Sequence, residues 1–139
     1  MTVVTKDIAL QSKGNCHIID ITSQVAKNVE ESGANCGIVT LFVVGSTAGI
    51  TTIEYEPNLV SDFKNMWDRV IPQSIPYEHN KTWGDANGHS HVRASTLGAS
   101  LIIPFVNKGL TLGTWQQIIL IDFDNCARER KVILQYVGE

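Results

Sequence analysis

The order of apolar and polar residues along the chain predicts two helices. Between Thr22 and Ser32 the apolar residues recur at every fourth position, and Gly33 ends the run, as expected for a helix. Residues 57–70 show the same periodicity behind Pro57, a residue suited to a first helical turn. Both segments are amphipathic, so each is expected to cover a sheet with its apolar side.

Alternating or β-branched runs predict strands around these helices. Residues 3–10 and 15–21 suggest a first hairpin, and residues 36–44, which are almost continuously apolar, suggest a central strand buried on both faces. Residues 50–55 form a further strand after a loop of small residues. Later strand-like runs lie at residues 92–97, 100–106, 110–113 leading into 115–123, and 130–137. They indicate an antiparallel meander with turns at 107–109 and 124–127.

These elements define an α+β protein. The expected architecture is a largely antiparallel β-sheet with two helices packed on one face. A chain of 139 residues is long enough to bury a core as one domain, so residues 1–139 are expected to form a single domain.

Composition narrows the function classes. Hydrophobic residues make up 43% of the chain and charged ones 18%, with a net charge of -3, which favours neither a nucleic acid nor an anionic membrane as partner. The chain shows no signal-peptide pattern and no apolar run of membrane-spanning length, so a cytoplasmic location is expected. Cys16, Cys36 and Cys126 are interpreted as reduced packing residues because no metal-binding spacing connects them.

The chemistry is concentrated in residues 83–95, which follow a long irregular connection. This segment contains two histidines, an acid, an amide, a cation and hydroxyl groups, and few apolar residues. Long irregular segments in compact domains are usually functional. We therefore predict that residues 83–95 form the active or binding site.

The histidines suggest a metal site. His89 and His91 are two residues apart, so on a strand they project from one face and can bind one ion. With His79 they offer three protein ligands and an open position, the arrangement of catalytic zinc. Zinc is the expected ion, and magnesium is the alternative. The competing interpretation is that these histidines are satisfied by hydrogen bonds in a polar cleft.

Neighbouring polar residues suggest further roles. Asp85 and Asn87 could orient an imidazole or hold magnesium, or they could only shape the turn that ends at Gly88. Arg93 is a candidate anchor for phosphate or carboxylate and a candidate catalytic residue, with a surface ion pair as the alternative. Ser95 adds a hydroxyl to the predicted phosphate-binding set.

Three sets of residues outside this segment complete the prediction. The loop with Ser46 and Thr47 exposes hydroxyls and backbone amides that can hold phosphate, although it lacks the pattern of a P-loop. Glu54, near the end of its strand, is the candidate general base or ligand. Gln116 or Gln117 could hydrogen-bond a ligand, and Gln116 is assigned to the predicted phosphate-binding set.

Several of these motifs together resemble the YjbQ family. The motifs are residues 83–91, 93–95, 113–117 and 121–124, and the resemblance covers essentially the whole chain. It implies a compact α+β fold, a homotrimer, and a histidine-lined metal-binding cleft near the subunit boundary. It also implies thiamine-phosphate synthase activity, which joins an aminopyrimidine-methyl pyrophosphate to a thiazole phosphate and releases pyrophosphate.

The chain departs from the family pattern at two positions. Gly45 stands where many members carry a histidine, and Ile53 replaces a common asparagine before Glu54. The leading expectation is a metal-dependent transferase that acts on small phosphorylated substrates. A non-catalytic protein that binds a metal or an anionic metabolite, and a metal-dependent phosphate-ester hydrolase, are the alternatives.

Overall fold

The computed structural model describes residues 1–139, which form eight strands and four helices. The elements in chain order are β1 (Thr2–Ser12), β2 (His17–Asp20), α1 (Thr22–Glu31), β3 (Gly37–Val44), β4 (Ala48–Ile53), α2 (Pro57–Val70), α3 (Asn80–Trp83), α4 (Gly88–Leu97), β5 (Ser100–Val106), β6 (Gly109–Leu110), β7 (Gln117–Asp122) and β8 (Arg128–Gly138). No helix is long and apolar enough to cross a membrane.

The strands form two antiparallel sheets. One sheet has five strands in the order β1-β8-β3-β5-β6, and the other has three in the order β2-β7-β4. Every pairing is antiparallel. The predicted α+β class is therefore confirmed, but the strands divide between two sheets where one was expected.

The main hydrophobic core lies between the two sheets. It joins apolar residues of β1, β3, β5 and β8 to those of β4 and β7, and Val25 and Val29 of α1 pack into the same cluster. A second, smaller cluster lies on the other face of the three-stranded sheet, where Trp67 of α2 and Ala94 of α4 contact it. The three-stranded sheet is thus covered on both faces.

The strand buried on both faces is β7, and the prediction that residues 36–44 have this property is wrong. Ile118 and Leu120 of β7 face the main core, while Ile119 and Ile121 face the helices, and all four are inaccessible to solvent. β3 does lie at the centre of its sheet, but its outward side chains, Phe42 among them, are exposed.

Both predicted helices are confirmed. The first spans Thr22–Glu31 and buries its apolar side in the main core. The second spans Pro57–Val70, and the carboxylate of Glu56 accepts hydrogen bonds from the backbone N–H groups of Asn58 and Leu59. A side chain that satisfies free N–H groups in this way stabilises the start of a helix.

The predicted strand pairings are only partly correct. β1 pairs with β8 and β2 pairs with β7, so the predicted first hairpin does not form. The turn at Asn107 and Lys108 does join β5 to β6, with both residues at positive φ, as a two-residue hairpin turn requires. β7 and β8 belong to different sheets, so the carboxy-terminal half is not a meander.

Residues 92–97 form the end of helix α4, and the strand predicted there is wrong. The buried side of α4 includes His89, Ser90, Arg93 and Ala94, which are mostly polar. Because periodicity methods follow apolar residues, a helix that buries polar side chains carries almost no amphipathic signal.

Candidate functional site

Helix α4 separates the histidines that the sequence placed together. Residues two apart on a helix project about 200° from each other, whereas on a strand they share a face. His91 lines one cleft, and His89 lines a different pocket together with Arg93. The expected common face of His89 and His91 is therefore wrong, and no group of three His, Cys, Asp or Glu side chains is arranged to hold a metal ion.

The largest cleft has a volume of about 530 Å³ and lies where three loops meet at one end of the two sheets. The β3–β4 loop, the β7–β8 connection and the segment from α3 to α4 each contribute to it. Its lining residues are Gly45, Ser46, Thr47, His79, Trp83, Asp85, Asn87, His91, Asp124, Arg128, Glu129 and Arg130. Eleven of these twelve side chains are polar, charged or absent, so the cleft suits a charged ligand.

His79 and His91 face each other in this cleft. Their ring centroids are 4.3 Å apart, with the ring planes tilted by 41°. His79 Nδ1 and the amide oxygen of Asn87 are buried, and neither has a hydrogen-bond partner in the chain. Burial, together with the nearby charge of His79, lowers the pKa of His91 and so favours the neutral imidazole that binds metals.

A buried ion pair forms the floor of the cleft. Arg130 donates two hydrogen bonds of 2.7 Å to the two carboxylate oxygens of Asp122, which is inaccessible to solvent. The same guanidinium donates a 2.6 Å hydrogen bond to the hydroxyl oxygen of Thr47. Two-point pairing of this kind fixes the plane of the guanidinium.

The Arg130 side chain approaches the backbone closely at Gly45. Gly45 has a φ of +134°, and a Cβ atom placed there would lie 2.8 Å from Arg130 Nη1. A residue with a side chain at position 45 would therefore be strained and would crowd the guanidinium. The absence of a side chain leaves Nη1 next to the cleft.

Asp124 connects the three loops. Its carboxylate accepts hydrogen bonds from the Thr47 hydroxyl, the Asn87 amide and the backbone N–H of Asn125, and it pairs with Arg128 at 3.0 Å. Burial alone would raise the pKa of Asp124, but these hydrogen bonds and the Arg128 charge lower it below its usual range. Asp124 is therefore an anion that holds the cleft together.

The cleft carries charges of both signs. Arg128 and Arg130 supply two guanidinium groups, while Asp85, Asp124 and Glu129 supply three carboxylates. Because the acids outnumber the arginines, an anionic ligand alone meets net repulsion. A divalent cation bound with the ligand would reverse that balance.

Some of the remaining predicted residues line this cleft, and others lie elsewhere in the structure. Ser46, Thr47, Asp85 and Asn87 all line it. Ser95 lines a small adjoining pocket that also includes Ser46 and His91. Glu54 lies in a separate pocket beside Trp115. Gln116 is exposed and hydrogen-bonds Thr52 and the backbone of Gly113.

Sequence reasoning missed the acid and arginine residues that organise the cleft. Asp122 is the last residue of the buried strand β7 and Asp124 follows shortly after it, while Arg128 and Arg130 lie at the start of β8. Charged residues at the end of a buried strand were the available signal, but their pairing depends on how the two sheets meet.

His89 and Arg93 lie on the opposite side of α4. Arg93 is buried and donates hydrogen bonds to the Ile71 carbonyl, the Cys16 thiol and the Asp68 carboxylate. Burial, followed by the charge of Arg93, lowers the pKa of His89. Arg93 does form an ion pair, with Asp68 at 3.1 Å, but its guanidinium is buried, so this is not the surface ion pair given as the alternative.

Comparisons with known proteins agree on one family. The family model described as UPF0047 protein YjbQ-like matches residues 6–139. The chain belongs to this family. A UPF0047 protein of Methanothermobacter thermautotrophicus is 36% identical over 100% of this chain and 95% of its own length. The UPF0047 protein YugU of Bacillus subtilis is 30% identical over 96% of this chain and 98% of its own.

Solved structures of similar proteins share the whole fold. A YbjQ-like protein of unknown function from Sulfolobus solfataricus P2 matches with a TM-score of 0.94 and 35% identity, covering 99% of each chain. A hypothetical protein from Aeropyrum pernix K1 matches with a TM-score of 0.90 and 31% identity, covering 98% of this chain and 99% of its own. The resemblance inferred from the sequence motifs is therefore confirmed.

Proposed function

We propose that the chain is a metal-dependent enzyme that binds small phosphorylated substrates in the cleft, with thiamine-phosphate synthesis as its reaction. The observation that carries this proposal is that a pair of facing imidazoles and two arginines line one polar cleft. Imidazole is a common ligand of divalent metals, and guanidinium groups bind phosphate through two donors. The combination suits a metal-bound pyrophosphate.

The donors present fit a divalent metal that shares its ligands with the substrate. His79 and His91 would hold the ion, and the unpartnered amide oxygen of Asn87 is a further candidate donor. Asp85, which lines the same cleft, could orient them or add a carboxylate. Metals that act on phosphates often take part of their coordination from the phosphate itself. Two protein imidazoles could therefore hold zinc together with pyrophosphate, whereas magnesium would take its ligands from Asp85 and the phosphate oxygens.

Phosphate oxygens would be bound by Arg128, Arg130 and Ser46. Arg130 is fixed by Asp122, so its remaining N–H groups are already oriented. The Thr47 hydroxyl donates to Asp124, which makes Thr47 a support for the two loops more than a direct phosphate donor. Ser46 is exposed on the cleft wall, and its hydroxyl is available to a ligand.

In the proposed reaction, negative charge develops on the departing pyrophosphate, which would lie beside the arginines of the cleft. The bond between the aminopyrimidine methylene group and pyrophosphate breaks, and a bond from that methylene group to the thiazole forms. A divalent metal held by His79 and His91 would neutralise charge on the departing pyrophosphate. Arg128 and Arg130 would bind the same oxygens, since donors fixed in position stabilise developing charge without reorganisation.

A binding protein without turnover is the second candidate. It is favoured by one observation: Glu54, the predicted general base, lies in a pocket separate from the cleft. A metal-bound anion could then be held without the general base that the sequence predicted. The hydrolase alternative would need another residue of the cleft to act as the base.

We further propose that the chain forms homotrimers in the cytoplasm. Support for self-association comes from the outer face of the five-stranded sheet, where apolar side chains of neighbouring strands are exposed. They are Ile38, Phe42 and Val44 of β3 and Ile102 and Val106 of β5. Contiguous apolar patches on a protein surface commonly mark interfaces. Light scattering of wild type and Phe42→Glu tests this: wild type should have three times the mass of the variant.

The test of the proposed function is turnover of the two thiamine precursors with zinc or magnesium present. Arg128→Gln removes a cleft guanidinium whose side chain is 47% exposed, so the fold should tolerate it. We expect this variant to lose about tenfold or more in rate, while the exposed Arg69→Gln on α2 keeps the wild-type rate. If pyrophosphate binds but no turnover is observed, the proposal of a binding protein replaces the proposal of an enzyme. If pyrophosphate does not bind at all, both proposals are refuted.

A further inference from the structure

We propose that the pocket behind α4 is a second binding site, for a small metabolite that carries both an anionic group and a hydroxyl. The pocket has a volume of about 350 Å³ and lies between α2, α4 and the start of β2. It is lined by Asn15, Cys16, Lys64, Asn65, Asp68, Gln73, His89, Arg93 and Phe123. None of these residues lines the cleft described above, so the second site stands independently of the proposed function.

Hydrogen bonding fixes which nitrogen of His89 carries the proton. The Ser90 hydroxyl donates its only proton to the carbonyl oxygen of Phe123. Ser90 Oγ also lies 3.3 Å from His89 Nε2, and with its own proton engaged it can only accept there. His89 therefore carries its proton on Nε2, and Nδ1 is left as an acceptor.

That acceptor is buried and has no partner in the chain. His89 is 2% exposed, and Nδ1 is among the few buried polar atoms without a hydrogen bond. Leaving a buried acceptor unsatisfied is destabilising, so such atoms usually meet a water molecule or a ligand. A hydroxyl of a ligand in this pocket would satisfy it.

Arg93 supplies the charge for the anionic part of the ligand. It is 3% exposed, and its bonds to Ile71, Cys16 and Asp68 use three of the five guanidinium N–H groups. Two N–H groups therefore remain. Lys64 lines the same pocket, and together the two cations outnumber the single acid, Asp68.

The ligand chemistry follows from this arrangement. A carboxylate or a phosphate can bind Arg93 and Lys64, and a hydroxyl elsewhere on the same small molecule can donate to His89 Nδ1. Hydroxycarboxylates and phosphate esters of small polyols both have this pattern. The amide side chains of Asn15, Asn65 and Gln73 line the pocket and can bind further hydroxyls.

NMR spectroscopy of the labelled protein tests the site with glycolate and glycerol 3-phosphate as probes. We expect saturable shifts of the Arg93 Nε–H signal and of the His89 imidazole nitrogens with at least one of them. Acetate, which matches glycolate but lacks the hydroxyl, should bind about tenfold more weakly than glycolate. The response to glycolate or to glycerol 3-phosphate tells a carboxylate site from a phosphate site.

Variants that change the charge of the pocket test whether it prefers an anionic ligand. Lys64→Gln should weaken probe binding about tenfold, and Lys27→Gln on the distant helix α1 should leave it unchanged. Asp68→Asn should strengthen binding, since it removes the only acid in the pocket. The proposal is overturned if neither probe shifts the Arg93 and His89 signals, if acetate binds as tightly as glycolate, or if Asp68→Asn weakens binding.

Discussion

Replacing Arg130 by glutamine should destabilise the fold far more than the same change at Arg128. Both arginines lie near the start of β8, both pair with an aspartate, and both line the cleft. They differ in burial: the Arg130 side chain is 7% exposed and the Arg128 side chain 47%. Each variant is therefore a control for the other.

The magnitudes follow from what each substitution leaves behind. Without Arg130, the carboxylate of Asp122 stays inaccessible to solvent and loses both of its guanidinium hydrogen bonds. Breaking a buried pair in this way costs about 3–5 kcal/mol. Without Arg128, Asp124 keeps the hydrogen bonds from Thr47, Asn87 and Asn125, so the loss should stay below about 1 kcal/mol.

Urea denaturation at a fixed protein concentration measures both values. A double variant, Asp122→Asn with Arg130→Gln, should lose less stability than the sum of the two single changes, because no unpaired charge remains. Equal losses for Arg128→Gln and Arg130→Gln, or strict additivity of the Asp122 and Arg130 changes, would refute the assignment of a buried ion pair.

Three further predictions concern the loops and the walls of the cleft. The pKa of Asp124 is lowered on folding, so its ionised form stabilises the fold above the usual pKa of 3.8. This stabilisation is lost as the pH falls, and Asp124→Asn should therefore flatten the decline in unfolding free energy below about pH 4. Gly88→Ala places a Cβ 2.5 Å from Tyr77 Cβ, so calorimetry should show that the free energy of unfolding falls by about 1–3 kcal/mol, even though alanine favours helices. An unchanged melting temperature would contradict this packing. Trp83, 75% exposed, lines the cleft, so metal with pyrophosphate should change the tryptophan fluorescence of wild type and of Trp115→Phe but hardly that of Trp83→Phe.

The sequence was sufficient for the elements with strong local signals. Helix α2 begins at Pro57 and ends at Val70, as its apolar spacing and the two later prolines indicate. The α+β class followed from the mixture of helices and β-branched runs. These features depend on local backbone preference and on the burial of one side of a helix or strand. Both leave a direct pattern in the order of residues.

Features set by tertiary contact were not predictable. α4 packs against β4, but its buried residues include His89, Ser90 and Arg93, so no apolar stripe marked it as a helix. The outer face of β3 was predicted to be core because Ile38, Phe42 and Val44 are apolar, and the sequence does not record that no element of the chain covers them. Strand order likewise depends on which strands meet across the whole chain.

The candidate site was located in part. The segment at residues 83–95 does contribute His91, Asp85 and Asn87 to the cleft, with His79 opposite. His89 and Arg93 belong to another pocket because the segment is helical and not extended. The arginines of β8 are distant in sequence, and only the crossing of the chain from one sheet to the other brings them to the histidines.

The measurement that tests the central claim most directly is calorimetric titration of pyrophosphate into the protein with and without zinc. Because carboxylates outnumber arginines in the cleft, we predict binding only when the metal is present. Replacing His79 or His91 by glutamine should abolish the metal-dependent binding, and Arg128→Gln should weaken it about tenfold, while Arg69→Gln should behave as wild type. Binding that is equally tight without any metal, or that survives loss of both histidines, would contradict the account.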